Sequence, residues 1–71
     1  MKISARNQLK GKVVKIEKGA VNAIVKIDIG GGNVISATIS LESIKDLKLK
    51  EGKKATAIIK ATSVMIGVSE K

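Results

Sequence analysis

Of the 14 cationic side chains in this 71-residue sequence, 13 are lysines; the single arginine, Arg6, stands in a polar opening stretch, Ser4-Ala5-Arg6-Asn7-Gln8-Leu9-Lys10-Gly11. Arginine presents a rigid fork of donors matched to oxyanions, whereas lysine is a compact, strongly solvated charge on a flexible stem. The chemistry on offer is recognition of an anion. Catalysis has little to work with. His, Cys and Tyr are absent, and the 6 Asp+Glu residues are spread singly along the chain, near lysines, where ion pairs are weak. A serine or lysine nucleophile needs an activating base or a desolvated pocket, and no spacing here supplies one. Without His or Cys the usual zinc ligand sets cannot be assembled, so no directly coordinated metal is expected. The formal net charge of +8 calls for an anionic partner: nucleic acid, a lipid surface or a small oxyanion. A plainer reading of the opening stretch is an N-terminal tail with a solvated arginine.

The elements that must position these residues are read from alternation of apolar and polar side chains. Val14 and Ile16 share one face of a first strand, with Lys15 and Glu17 opposite. Val21, Ala23, Val25, Ile27 and Ile29 share a face of the second. Gly30-Gly31-Gly32 then form a hairpin turn, since glycine adopts positive φ freely. A phosphate-binding loop would need a following lysine and Ser or Thr opening a helix; Asn33-Val34-Ile35 opens a strand instead. Ile35, Ala37 and Ile39 define the third strand. At Ser40 the pattern changes: Leu41, Ile44 and Leu47 recur at every third position, which predicts a short helix with Ser40 as N-cap. Gly52 marks a turn. Ala55, Ala57 and Ile59 make a fourth strand, and Val64, Ile66 and Val68 a fifth before a polar tail, Ser69–Lys71. The expected fold is all-β: a small five-stranded OB-like barrel with one helix between strands 3 and 4.

Seventy-one residues make one domain, residues 1–71, whose small core leans on some further stabilisation. Disulfides and zinc are excluded, which leaves oligomerisation. Val13, Ile24, Val34, Ile58 and Met65 lie on nominally outward faces, and together they form an apolar surface suited to contact between copies. Scattered surface aliphatics are the bland alternative. No apolar run approaches a membrane span, and the first residues do not form a signal peptide; a cytoplasmic location is expected.

Ser4 to Gly11 resembles the opening signature of the molbindins, and of the molybdate-binding Mop domains in molybdate-responsive regulators and transporter ATPases. The resemblance continues through Ile39-Ser40-Leu41-Glu42-Ser43, Leu49-Lys50-Glu51-Gly52 and Ile58-Ile59-Lys60-Ala61-Thr62-Ser63-Val64-Met65, and so covers nearly the whole chain as one Mop unit. It implies an OB-like fold assembled as a homohexamer, a trimer of dimers, with molybdate or tungstate held between subunits for storage, buffering or homeostasis. The ligand set it implies is Ser4, Ala5 and Arg6, then Ser40 and Ser43, then Lys60, Ala61 and Thr62. For the second kind of oxyanion site in hexameric members, the loop amides of Gly19, Ala20 and Val21 are candidates. Chemistry agrees with the set: a tetrahedral dianion accepts hydrogen bonds at every oxygen and needs many donors and few acceptors. The rival readings are a single-stranded nucleic-acid module, for which this chain lacks aromatic stacking platforms, and a module serving assembly alone.

Overall fold

The computed structural model describes residues 1–70; Lys71, the end of the expected polar tail, lies outside the described residues. Strands β1 (Asn7–Lys18), β2 (Asn22–Gly30) and β3 (Asn33–Ser40) are followed by helix α1 (Leu41–Asp46), strand β4 (Lys54–Ile59) and a single 3-10 turn at Ala61–Ser63. They form one antiparallel sheet in the order β3-β2-β1-β4. The long strand β1 serves both halves: its first part, Asn7–Lys12, pairs with β4, and its second part, Lys12–Lys18, pairs with β2.

The changeover is marked by a β-bulge. Pairing jumps from Val13–Ile27 to Lys15–Lys26, so Val14 is an extra residue, and an insertion of this kind bends a strand and increases its twist. The sheet curls at this point into a half-barrel. The bulge also splits the inward face expected for β1: Ile16 packs against the core as read, but Val14 does not. Val13, read from the sequence as outward, is 1% exposed, whereas Val14, read as inward, is 43% exposed. Strict alternation assumes one residue per pairing step; two residues opposite one shift every side chain beyond them to the other face.

The core gathers on the concave side. Val13, Ala23, Val25, Ile27, Ile44 and Ala57 are buried, with Leu9, Ile16, Ile35, Ile39, Leu41 and Leu49 packed around them. Ile44 is the residue through which α1 reaches that core. The helix closes with paired bonds, Leu49 N–H to Ile44 C=O (3.0 Å) and Lys48 N–H to Lys45 C=O (3.0 Å), around Lys48 at φ 52°, the left-handed ending that satisfies the last carbonyls. The Lys53 ammonium donates to two more, those of Leu47 (2.6 Å) and Lys48 (3.2 Å).

Two further expectations change. Val21 precedes β2 in the connecting turn and is 71% exposed. The fifth strand is not formed. Residues 64–70 belong to no element, and Val64, Ile66 and Val68 are 47%, 89% and 85% exposed. Alternation says which side chains share a face, but it does not provide a neighbouring strand to pair with. The architecture is therefore four strands in a curled half-barrel with one short helix between β3 and β4, an OB-like arrangement without its closing strand. Ile24, Val34 and Ile58 are exposed as expected, at 38% to 51%, and Met65 at 91%.

Candidate functional site

Antiparallel pairing of β1 with β4 decides which residues meet at the end of that ladder. Asn7 is paired with Ile59, so the residues just before Asn7 and just after Ile59 leave the sheet side by side. Ser4, Ala5 and Arg6 therefore face Lys60, Ala61 and Thr62 across an open cleft of about 480 Å³, with Ile3 and Ile58 as its apolar walls. All six positions come from segments more than fifty residues apart in sequence. They converge in space.

The cleft is rich in donors. Arg6 and Lys60 bring formal positive charge, Ser4 and Thr62 bring hydroxyls, and no Asp or Glu lines the space. Among the described residues the one ion pair is elsewhere, Lys15 Nζ to Glu17 Oε1 at 3.1 Å, so neither cation of the cleft is neutralised by a carboxylate. That pair sits on an exposed strand face, where the hydrogen bond and charge of Lys15, helped by the charge of Lys26, hold the Glu17 carboxyl below its ordinary range. Side-chain amides brace the cleft: Gln8 Nε2 donates to the Ala5 carbonyl (3.2 Å) and Asn7 Nδ2 to the Ile59 carbonyl (3.3 Å). On the other wall the 3-10 turn is closed by Ser63 N–H to Lys60 C=O (2.9 Å) and Val64 N–H to Ala61 C=O (3.3 Å). The sequence reading left Ile3, Asn7, Gln8 and Ile58 without a role here. The two polar residues stood in view within the opening motif, but only the ladder shows what they reach.

Ser40 and Ser43 lie elsewhere. Ser40 caps α1: its Oγ accepts from Ser43 N–H at 3.0 Å and donates to Ser43 Oγ at 2.9 Å. Ser40 is paired with Asn22, at the far end of the sheet from the Asn7–Ile59 pair. The span of β1 separates the two groups, roughly 30 Å at the usual rise per residue. No small anion touches both groups of one chain. The structure instead sets the helix start beside the Gly19–Val21 turn, through Leu41 N–H to Val21 C=O at 3.0 Å. In that turn the Gly19 N–H is occupied by the Asn22 carbonyl (2.8 Å), while those of Ala20 and Val21 donate to no backbone carbonyl among the described residues. A neighbouring hollow does include the Glu17 carboxylate, which makes it less suited to an anion than the Arg6–Lys60 cleft. Removing the cap has a modest expected effect: Ser40→Ala lowers stability by about 1 kcal/mol. A thermal midpoint within a degree of the parent would show that the cap bond carries no weight.

The chain is thus a small OB-like β-domain, a curled half-barrel with a basic cleft, lined by no carboxylate, at one end of the β1–β4 ladder. The sequence profile of the TOBE domain matches residues 3–66, and the chain belongs to that family. It is 75% identical, over 96% of its own length and 99% of the relative's, to a Haemophilus influenzae protein named probable molybdenum-pterin-binding protein. The structure of a molybdate-binding protein from Sporomusa ovata superposes with a TM-score of 0.88 at 41% identity, covering 96% of this chain and 100% of that one. The cytoplasmic molybdate-binding protein ModG, solved with molybdate bound, gives a TM-score of 0.80 at 51% identity, over 86% of this chain and 43% of ModG.

Proposed function

We propose that this chain binds molybdate-type oxyanions, molybdate or tungstate, at the boundaries between copies of itself, as an intracellular store or buffer of molybdenum. The observation that carries the reading is the convergence of Arg6 and Lys60, with the Ser4 and Thr62 hydroxyls, on a cleft without a carboxylate. Charge-assisted hydrogen bonds are roughly twice as strong as neutral ones, so the two cations dominate affinity. The names of the close relatives support the choice of anion. Placement between copies is supported by the distance separating Ser40 and Ser43 from Arg6: if both groups contribute to one site, they come from different chains. The homo-oligomer is taken to be the hexamer, a trimer of dimers, implied by the family resemblance.

The reading is of a binding protein, not an enzyme. The hydroxyls in contact with one another, Ser40 and Ser43, have no base beside them to activate a nucleophile. Among the described residues no helix is long and apolar enough to cross a membrane; a cytoplasmic site of action is proposed, in keeping with the description of ModG. Nucleic acid is the weaker candidate partner, since the chain has no aromatic residue on which bases would stack.

Binding to the assembled form stabilises it by mass action. At a hundredfold excess of tungstate over Kd the gain is about 2.7 kcal/mol per site, which at one site per chain raises the melting midpoint of a domain of this size by roughly 15–20 °C. Melting curves with tungstate, with sulfate and without anion check this. A midpoint unmoved at saturating tungstate would remove the proposed function.

A further inference from the structure

Four backbone carbonyls beside the cleft are engaged, while four neighbouring N–H groups donate to no backbone carbonyl among the described residues. The carbonyls of Ala5, Ile59, Lys60 and Ala61 accept from Gln8 Nε2, Asn7 Nδ2, Ser63 N–H and Val64 N–H respectively. In contrast, the N–H groups of Ala5, Arg6, Ala61 and Thr62 donate to no backbone carbonyl among the described residues. For the last two carbonyls the 3-10 turn does the work. The Ile59 carbonyl also accepts from the β1–β4 ladder, so the carbonyl held by a side chain alone is that of Ala5, through Gln8 of the opening motif.

We propose that Gln8 is a positioning residue that masks the Ala5 carbonyl, so that the Ala5–Arg6 peptide offers an anion its donor and not its acceptor. The geometry follows from the planar trans peptide, in which C=O and N–H point in opposite directions. Among the described residues every peptide bond is trans. When Gln8 draws the Ala5 carbonyl to itself, the Arg6 N–H of the same peptide plane is turned the other way. Without that hold the plane is free to rotate and present a lone pair to a dianion, exchanging an attraction for a repulsion. Gln8 needs no contact with the anion to do this. Its hydrogen bond is exposed and contributes little to stability, which separates its effect on binding from any effect on folding.

This inference rests on the oxyanion reading above, and the test distinguishes the two. Tungstate titrations followed by amide NMR are made on the full-length protein and on Gln8→Met, which keeps length and removes the donor, and Gln8→Lys, which restores one. In the parent the Arg6 amide proton moves downfield as it donates to the anion. In Gln8→Met tungstate binds about tenfold more weakly, the scale of one lost or reversed hydrogen bond, the Arg6 amide shift shrinks, and the melting midpoint without anion is unchanged. Gln8→Lys recovers part of the affinity. If the parent shows no shift at Ser4–Arg6 or Lys60–Thr62, the oxyanion reading itself falls, and the role of Gln8 with it. If the parent responds and Gln8→Met binds with parental affinity and an undiminished Arg6 shift, the masking role is wrong and the site stands.

Discussion

Arg6→Ala is expected to weaken tungstate binding by about a hundredfold or more while leaving the fold intact. The guanidinium is the one fork of donors in the chain, and a planar fork makes two parallel bonds to an oxyanion where an ammonium makes one. Hydrogen bonds involving charged groups contribute about 1.5–3 kcal/mol each, so losing two costs on the order of two decades in Kd. Arg6 is exposed and pairs with no carboxylate among the described residues, so its removal leaves no buried charge behind. The proper comparison is Lys15→Ala, which removes the same formal charge at a site outside the cleft, where the ammonium is held by Glu17. That variant should bind within about twofold of the parent, since a screened surface charge acts weakly over such distances. Its one expected signature is elsewhere. The depressed Glu17 carboxyl contributes its small stabilisation above the ordinary carboxylate range and loses it as pH falls through the folded value, and Lys15→Ala reduces that acid dependence to the part that Lys26 supplies. Calorimetric titration of both variants decides the matter: equal affinities would strip Arg6 of its role.

Gly11→Ala is expected to be the most damaging conservative change to the fold, at about 3 kcal/mol, the upper part of the range for overpacking. Gly11 lies on β1 just before the bulge, where β2 crosses it. A Cβ built there would stand 2.4 Å from the Asp28 carbonyl oxygen, 2.8 Å from Ile27 Cγ2 and 3.0 Å from the Asp28 carbonyl carbon. Two of those three atoms are backbone, so no rotamer change relieves the clash. Relief requires β1 and β2 to separate at the bend that curls the sheet. A single domain has only about 5–15 kcal/mol of total stability, and one of this size has little to spare. Glycines of the β2–β3 turn behave differently: Gly30 and Gly32, at φ 96° and 79°, have nothing close to a built Cβ, so their cost is one of backbone conformation. Urea denaturation of Gly11→Ala, followed by circular dichroism, should show a midpoint far below the parent's; an unchanged midpoint would mean that the strands separate there at no cost.

The sequence by itself determined the second half of β1, the strands β2 to β4, the helix with its Ser40 cap and the glycine turn, because alternation, capping and turn chemistry are decided within a few residues. The first half, Asn7–Lys12, read as a polar tail, becomes a strand only by pairing with β4. Composition also pointed to an anionic partner, since one arginine, many lysines and few carboxylates are read directly from it; the choice of a small oxyanion came from the family resemblance. What only the tertiary structure decided are the features that need two distant segments. The bulge at Val14 is invisible in one strand, because it exists only relative to the pairing on β2, and it is what brings Ile16 to the same side as Val13 while Val14 stays outside. The alternation of Val64, Ile66 and Val68 is real, yet a strand also needs an edge to join, and within the described residues it joins none. The opening motif and the Lys60–Thr62 segment were each visible in the sequence, but their convergence on one cleft came from the Asn7–Ile59 register. The same register that brought them together set Ser40 and Ser43 at the other end of the sheet, because a strand as long as β1 is too rigid and too extended to let its two ends serve one small ion.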